Sequence, residues 1–145
     1  MTIGRICQRD VDLAERGESV RVAAQRMLQR KVGTLVILDQ SREPIGILSD
    51  RDLVLRVLAT GRDPNDTTVG EVMSGRLDTV TEDTPIERAV TVMRNGGFRR
   101  LPVVDGWGRL VGLVSLDDIL ALRAEEFAGI GSLLSQQTPR ELAKA

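Results

Sequence analysis

The residues with the most chemical content sit in two short runs, Ser49-Asp50-Arg51-Asp52 and Ser115-Leu116-Asp117-Asp118. Each closes an apolar stretch: "IGILSDRD" and "VGLVSLDD" both read Gly, apolar, apolar, Ser, two variable residues, Asp. Ser-x-x-Asp after a strand is first a helix-capping pattern, with Ser at the N-cap and Asp at N3. The acid is also favoured by the positive end of the helix dipole. The same geometry can serve a ligand. A helix start presents unpaired N–H groups that suit a phosphate, and a carboxylate beside it can accept hydrogen bonds from a ribose diol. Gly46 and Gly112 would let a ligand or a neighbouring backbone come close. The two uses are compatible, because the serine can cap while the aspartate faces a sugar.

Composition removes several other chemistries. The chain has 145 residues, no His and one Cys. A Ser-His-Asp triad and His acid–base catalysis are excluded, and the usual zinc ligand sets are out of reach. Cys7 alone forms no intrachain disulfide; it suggests a reducing compartment and reads as a small buried hydrophobe. Net charge is −1 and aromatics are 2%, so neither an electrostatic nor a stacking case for nucleic acid exists. The opening "MTIGRICQRD" lacks the apolar core of a signal peptide. No apolar run reaches the ~20 residues of a membrane span, so the cytoplasm is expected. Of the basic residues 18 are Arg and only Lys31 and Lys144 are Lys. Most of these arginines are solvated surface, but a few planar forks suit phosphate. "GWGRLVG" (106–112) lacks Gly-x-Gly-x-x-Gly spacing and reads as a hairpin turn. The acid pairs Asp50/Asp52 and Asp117/Asp118 lack the spaced ligands of a calcium loop.

The elements that position the two runs repeat as well. Glycine, serine and aspartate of the second run each lie 66 residues after those of the first. At that offset "TIGRIC" (2–7) falls on "TVGEVM" (68–73), Ala23 on Ala89, Met27 on Met93, Leu35 on Leu101 and Asp39 on Asp105, without a gap between residues 2 and 53. Two copies are too few for a solenoid and fit a pseudo-twofold pair, each covering the other's apolar face. In the second copy Thr84 reads as an N-cap, Pro85 as N1 and Glu87 as N3 of a capping box. Ile86, Ala89, Val90 and Met93 follow at helical spacing, and Asn95-Gly96-Gly97 stops the helix. The first copy has a weaker start at Glu18-Ser19 and places Val20, Ala23, Ala24, Met27 and Leu28 likewise. A hairpin follows in each copy, "TLVILD" then "PIGIL" and "RLPVVD" then "LVGLV". A second helix opens at Ser49 or Ser115, with Leu53, Val54, Val57 and Leu58 as its apolar face in the first copy. Each unit is β-α-β-β-α. The divisions are 2–58 for the first unit, 59–67 ("ATGRDPNDT") for a polar linker, 68–123 for the second unit and 124–145 for a helical tail.

Two tandem copies, each ending strand, Gly-h-h-Ser-x-x-Asp, helix, resemble a pair of CBS domains (a Bateman module) of the stand-alone bacterial type. The resemblance covers roughly residues 2–123. It implies an α/β (α+β) fold of two pseudo-twofold-related β-α-β-β-α CBS units packed through their small sheets. It also implies a non-enzymatic regulatory module that needs no cofactor. Its ligand would be an adenosine-containing one, AMP, ADP, ATP or S-adenosylmethionine, bound in clefts between the units. Such pairs often form homodimers, and a further protein partner is open. Carried over by residue, Asp52 and Asp118 resemble the ribose-binding acids, and Ser49 and Ser115 the hydroxyls near ribose or phosphate. Arg99 and Arg100 of "FRRLPVV" resemble phosphate-reaching basic residues, though solvated strand-edge charge explains them equally. Val80 and Thr81 resemble the segment that walls the adenine. Arg51 adds a guanidinium beside the first cleft. Gly33-Thr34 stands where the second copy has Arg99-Arg100, so the two clefts are expected to differ. A structural or dimerisation module with degenerate, non-binding clefts is the alternative. In the tail, Phe127, Ile130 and Leu133/Leu134 fall at helical spacing. They suit packing on the chain's own body, on a dimer partner, or as an output element. Thr138-Pro139-Arg140-Glu141 reads as a further helix start.

Overall fold

The computed structural model describes residues 1–144, with side chains described through residue 136. Each repeat folds around one three-stranded sheet. In the first, β1 (Leu13–Ala14), β2 (Thr34–Leu38) and β3 (Pro44–Ser49) lie in that order, with β1–β2 parallel and β2–β3 antiparallel. In the second, β4 (Val80–Thr81), β5 (Arg100–Val104) and β6 (Leu110–Ser115) repeat the arrangement. Even the irregularity repeats: the register slips between Ile37 and Leu38 and again between Val103 and Val104. The helices are α1 (Val20–Arg30), α2 (Asp50–Leu53), α3 (Val69–Val72), α4 (Ile86–Gly96) and α5 (Leu116–Lys144).

Local chemistry explains most boundaries. Ser19 caps α1 by accepting the Val22 N–H at 3.2 Å. Lys31 and Gly97 end α1 and α4 in the left-handed conformation. Asp39 and Asp105 each fold a hairpin turn by accepting two backbone N–H groups, from Ser41 and Glu43 and from Trp107 and Arg109. Arg109 adds its Nε to Asp105 at 3.0 Å and lies over the exposed Trp107 ring, so "GWGR" is a turn.

Three expectations are corrected. Thr84 does not cap α4. Pro85 occupies the N-cap, and Thr84 turns its hydroxyl back to accept the Thr81 N–H at 3.0 Å. A residue before proline is pushed to extended backbone, and the orphan Ile86 N–H is satisfied instead by the Met1 carbonyl. In the first repeat α2 passes at Val54 into a π turn, closed by Ala59 N–H to Val54 C=O at 2.8 Å. The wider turn buries Val57 but leaves Val54 and Leu58 exposed, as Ala24 and Leu28 are on α1. Among the described side chains of the tail, Phe127, Ile130 and Leu133 do not pack on the chain's own body. α5 runs on as one backbone helix through 138–141, and Phe127, Ile130 and Leu133 are exposed.

The two cores are completed by exchange. Ile3, from the start of the chain, is fully buried among Val80, Ile86, Ala89, Met93 and Leu101 of the second repeat. Val69 and Val72, from the lead-in of the second repeat, are buried among Val20, Ala23, Leu35 and Leu48 of the first. The hydrogen bonds obey the same offset. Ile3 N–H donates to Thr84 C=O at 2.9 Å and Val69 N–H to Glu18 C=O at 2.8 Å. Gly4 donates to Glu82 and Gly70 to Arg16, both at 2.9 Å. Gln8 and Leu113 exchange two backbone bonds, as Ser74 and Ile47 do. These reciprocal pairs define the pseudo-twofold relation. Gly46 and Gly112 are explained here. A Cβ on Gly46 would meet the Met73 sulfur at 2.3 Å, and one on Gly112 would meet Cys7 Sγ and the Gln8 carbonyl, each at 3.0 Å. It is neighbouring chain, not ligand, that comes close.

Gly112→Ala should therefore destabilise the protein by about 1–3 kcal/mol, the usual range for forcing an atom into a packed contact. Gly106→Ala, with nothing within 4 Å of its Cβ, should leave the melting temperature unchanged. Thermal denaturation of the two variants side by side checks this.

Candidate functional site

The exchanged lead-ins do more than fill cores. Immediately after each lead-in, the chain crosses in front of the other repeat's Ser-x-x-Asp run and walls a cleft. The first cleft, about 290 Å³, is lined by Gln8, Asp10, Val11 and Asp12, by Val32, Gly33 and Thr34, and by Arg100, Leu113, Ser115 and Asp118. The second, about 260 Å³, has Ser74, Arg76 and Leu77, then Phe98, Arg99 and Arg100, and Thr34, Ile47, Ser49, Arg51 and Asp52. Ten of the eleven lining residues of the first reappear in the second at the 66-residue offset; only the equivalent of Asp12 does not. Each cleft thus takes its lead-in and most of its apolar wall from one repeat, and its serine, its aspartate and one apolar residue, Leu113 or Ile47, from the other. Thr34 and Arg100, equivalent across the repeat, line both. Between them lies a third hollow of about 320 Å³, bordered by Ser49, Asp50, Arg51, Arg99, Arg100, Ser115 and Asp117.

The capping function of the two motifs is fully formed. Ser49 Oγ accepts the Asp52 N–H at 3.1 Å while Asp52 Oδ2 accepts the Ser49 N–H at 2.9 Å. Ser115 and Asp118 do the same, at 3.1 and 2.9 Å. One oxygen of each carboxylate is engaged by its cap. The other is held weakly: Gln8 Nε2 donates to Asp118 Oδ1 at 3.3 Å, and Arg56 stands 3.7 Å from Asp52 Oδ1. Each second oxygen is thus available to a diol that displaces a loose neighbour. Thr34 supplies another polar atom. Its hydroxyl is buried and has no hydrogen-bond partner among the described residues, a state that native proteins seldom tolerate without a ligand or water.

Charge separates the clefts. Asp10, Asp12 and Asp118 face Arg100 in the first, with Arg30 of α1 pairing to Asp10 at 3.2 Å and Asp12 at 2.7 Å. In the second, Arg51, Arg76, Arg99 and Arg100 face Asp52. Seven other arginines pair with carboxylates, but none of these four makes an ion pair among the described residues. Behind the first cleft, Cys7 packs against Gly112. Burial pushes its thiol pKa up, Glu82 and Asp118 act the same way, and Arg9 opposes them. Cys7 is therefore held as a thiol rather than a reactive thiolate. Among the described residues no group of three or more His, Cys, Asp or Glu is placed to hold a metal ion. No helix there is long and apolar enough to cross a membrane.

Of the residues singled out from sequence, Ser49, Arg51, Asp52, Arg99 and Arg100 come together in the second cleft. Ser115, Asp118 and again Arg100 meet in the first. Val80 and Thr81 line neither: Val80 is buried in the second core and Thr81 bonds to Thr84. The walls are formed instead by 8–12 and 74–77, which the motif reading passed over. Their signal was the ungapped offset continuing beyond Cys7 and Met73.

The comparisons follow this geometry. A family model for the CBS domain matches residues 3–59 and again 69–125, and the chain belongs to that family as a tandem CBS pair. It is 38% identical over 120 residues to the uncharacterized protein MK0525 of Methanopyrus kandleri, covering 83% of this chain and 61% of that one. The chain thus spans less than two thirds of that relative's length. It is also 38% identical to the CBS domain-containing protein YhcV of Bacillus subtilis, over 81% of each chain. The crystal structure of the CBS domain pair of protein MJ0100, in complex with 5′-methylthioadenosine and S-adenosyl-L-methionine, superposes with a TM-score of 0.77 at 26% identity. That match covers 87% of this chain and 98% of the other.

Because each aspartate completes a cap, Asp52→Ala and Asp118→Ala should each cost about 1.5–3 kcal/mol, the value of a hydrogen bond to a charged group. The Asn variants keep an acceptor and should lose less. Melting temperatures of the four variants give the order, at roughly 2–4 °C per kcal/mol for a chain of this size.

Proposed function

We propose that this CBS pair is a sensor whose clefts bind an adenosine-containing ligand, and that occupancy alters its conformation or its contact with a partner. One observation carries the reading: the cavity is built twice, at one sequence offset, each time with most of its apolar wall from one repeat and a Ser-x-x-Asp run from the other. Val11, Val32 and Leu113, or Leu77, Phe98 and Ile47, offer a base an apolar slot. The free oxygen of Asp118 or Asp52 suits a ribose diol, and the MJ0100 pair with its two adenosyl ligands supports that chemistry. A ligand bridging both repeats favours whichever conformation it fits better, and such couplings are typically ~1–3 kcal/mol. AMP, ADP, ATP and S-adenosylmethionine are the ligands proposed. The cytoplasm is the proposed setting, with Cys7 reduced.

The module works, on this proposal, as a homodimer. Leu28, Leu58, Phe127 and Ile130 are exposed at 79, 75, 74 and 57%, apolar side chains that a second copy would cover. Sedimentation should give twice the chain mass, and Phe127→Asp with Ile130→Asp should shift it to the monomer.

Binding is tested by thermal shift with the four compounds. A ligand at ~100 times its dissociation constant adds roughly 2.7 kcal/mol. Stabilisation should appear with at least one compound and weaken in Asp52→Asn or Asp118→Asn. No shift with any of the four sinks the sensor reading and leaves a purely structural dimerisation module.

A further inference from the structure

The repeat makes the two clefts equivalent in shape, yet their charges differ position by position. Where the first has Asp10 the second has Arg76, and where the first has Gly33 the second has Arg99. Arg51 adds to the second alone. Only the first cleft has its lining charges answered locally. Arg30 answers the acids of the first cleft, whereas the arginines of the second make no ion pair among the described residues. Unpaired guanidinium groups along a concave wall focus a positive potential into it and bind phosphate as planar forks.

We propose that the clefts are sorted by charge: the Asp52 cleft takes the phosphorylated ligand, and the Asp118 cleft turns it away in favour of a nucleoside whose 5′ group is uncharged or cationic. This rests on the adenosyl reading above and assigns what that reading leaves equivalent. With the ribose on Asp52, a 5′ phosphate chain runs toward the hollow between the helix starts, where Arg51, Arg99 and Arg100 stand. At the 66-residue offset, the same chain from a ribose on Asp118 would pass Asp117, Gly33 and Thr34 in place of Arg51, Arg99 and Arg100. A Cβ at Gly33 would meet the Asp50 carboxylate at 2.9 Å, so a side chain copying Arg99 there would have to displace Asp50.

Isothermal titration of the full chain with adenosine, AMP and ATP tests the sorting. ATP should bind one equivalent, at least tenfold more tightly than adenosine, with an affinity that falls as salt rises while that of adenosine does not. Arg76→Gln with Arg99→Gln should weaken ATP at least tenfold and adenosine less than threefold. Asp118→Asn should weaken ATP less than Asp52→Asn does. Asp10→Arg, which copies Arg76 onto the other cleft, should create a second ATP equivalent. Two equal ATP sites in the unaltered protein, or ATP binding lost in Asp118→Asn and kept in the double arginine variant, overturns the sorting alone. So does ATP binding no tighter than adenosine. Silence toward all three compounds overturns the adenosyl reading and the sorting with it.

Discussion

Everything in this molecule depends on the reciprocal crossing of two short segments. Residues 2–8 and 68–74 each leave their own repeat and complete the other's core, with paired hydrogen bonds at 2.8–3.0 Å. A fully buried side chain such as Ile3 contributes on the order of 1.5–3 kcal/mol, and Val69 opposite it somewhat similarly. Neither half can bury its apolar face without the other. The crossing also fixes the clefts, since the chain that emerges from each lead-in becomes a cleft wall.

Within that frame the Ser-x-x-Asp motif has two duties on two atoms. One carboxylate oxygen closes the cap, which sets the start of α2 or α5 and holds the side chain still. The other has only a weak neighbour, Gln8 or Arg56. A rigid acceptor loses little entropy when it meets a ligand. On the sensor proposal, the capping bond would serve recognition by fixing the direction of the second oxygen.

Much of this was legible in the chain. The single offset gave two units, the alternating strands and the capping residues gave their elements, and Asp39 and Asp105 marked equivalent turns. What was hidden has a physical reason. A repeat says which residues are equivalent, not which are adjacent. Self-packed and exchanged lead-ins produce the same pattern, so the cleft walls at 8–12 and 74–77 could not be assigned. Val80 and Thr81 were drawn toward the ligand by resemblance, but as the short parallel strand of the second sheet they are held at β5. Thr84 lost its cap to the Met1 carbonyl, a partner from the far end of the sequence. The exposed side of α1 and the π turn escaped because helical spacing reports an apolar stripe, not what covers it.

The exchange also says something about ancestry and about cutting. A single unit with its lead-in extended toward a neighbour is self-complementary, so two copies of one ancestral half could have closed on each other before fusion made them one chain. The joint is still visible in the exposed loop around Gly61 and Pro64. Severed there, the fragments would keep every interlocking strand and helix, and should reassemble from separate solutions into the intact body.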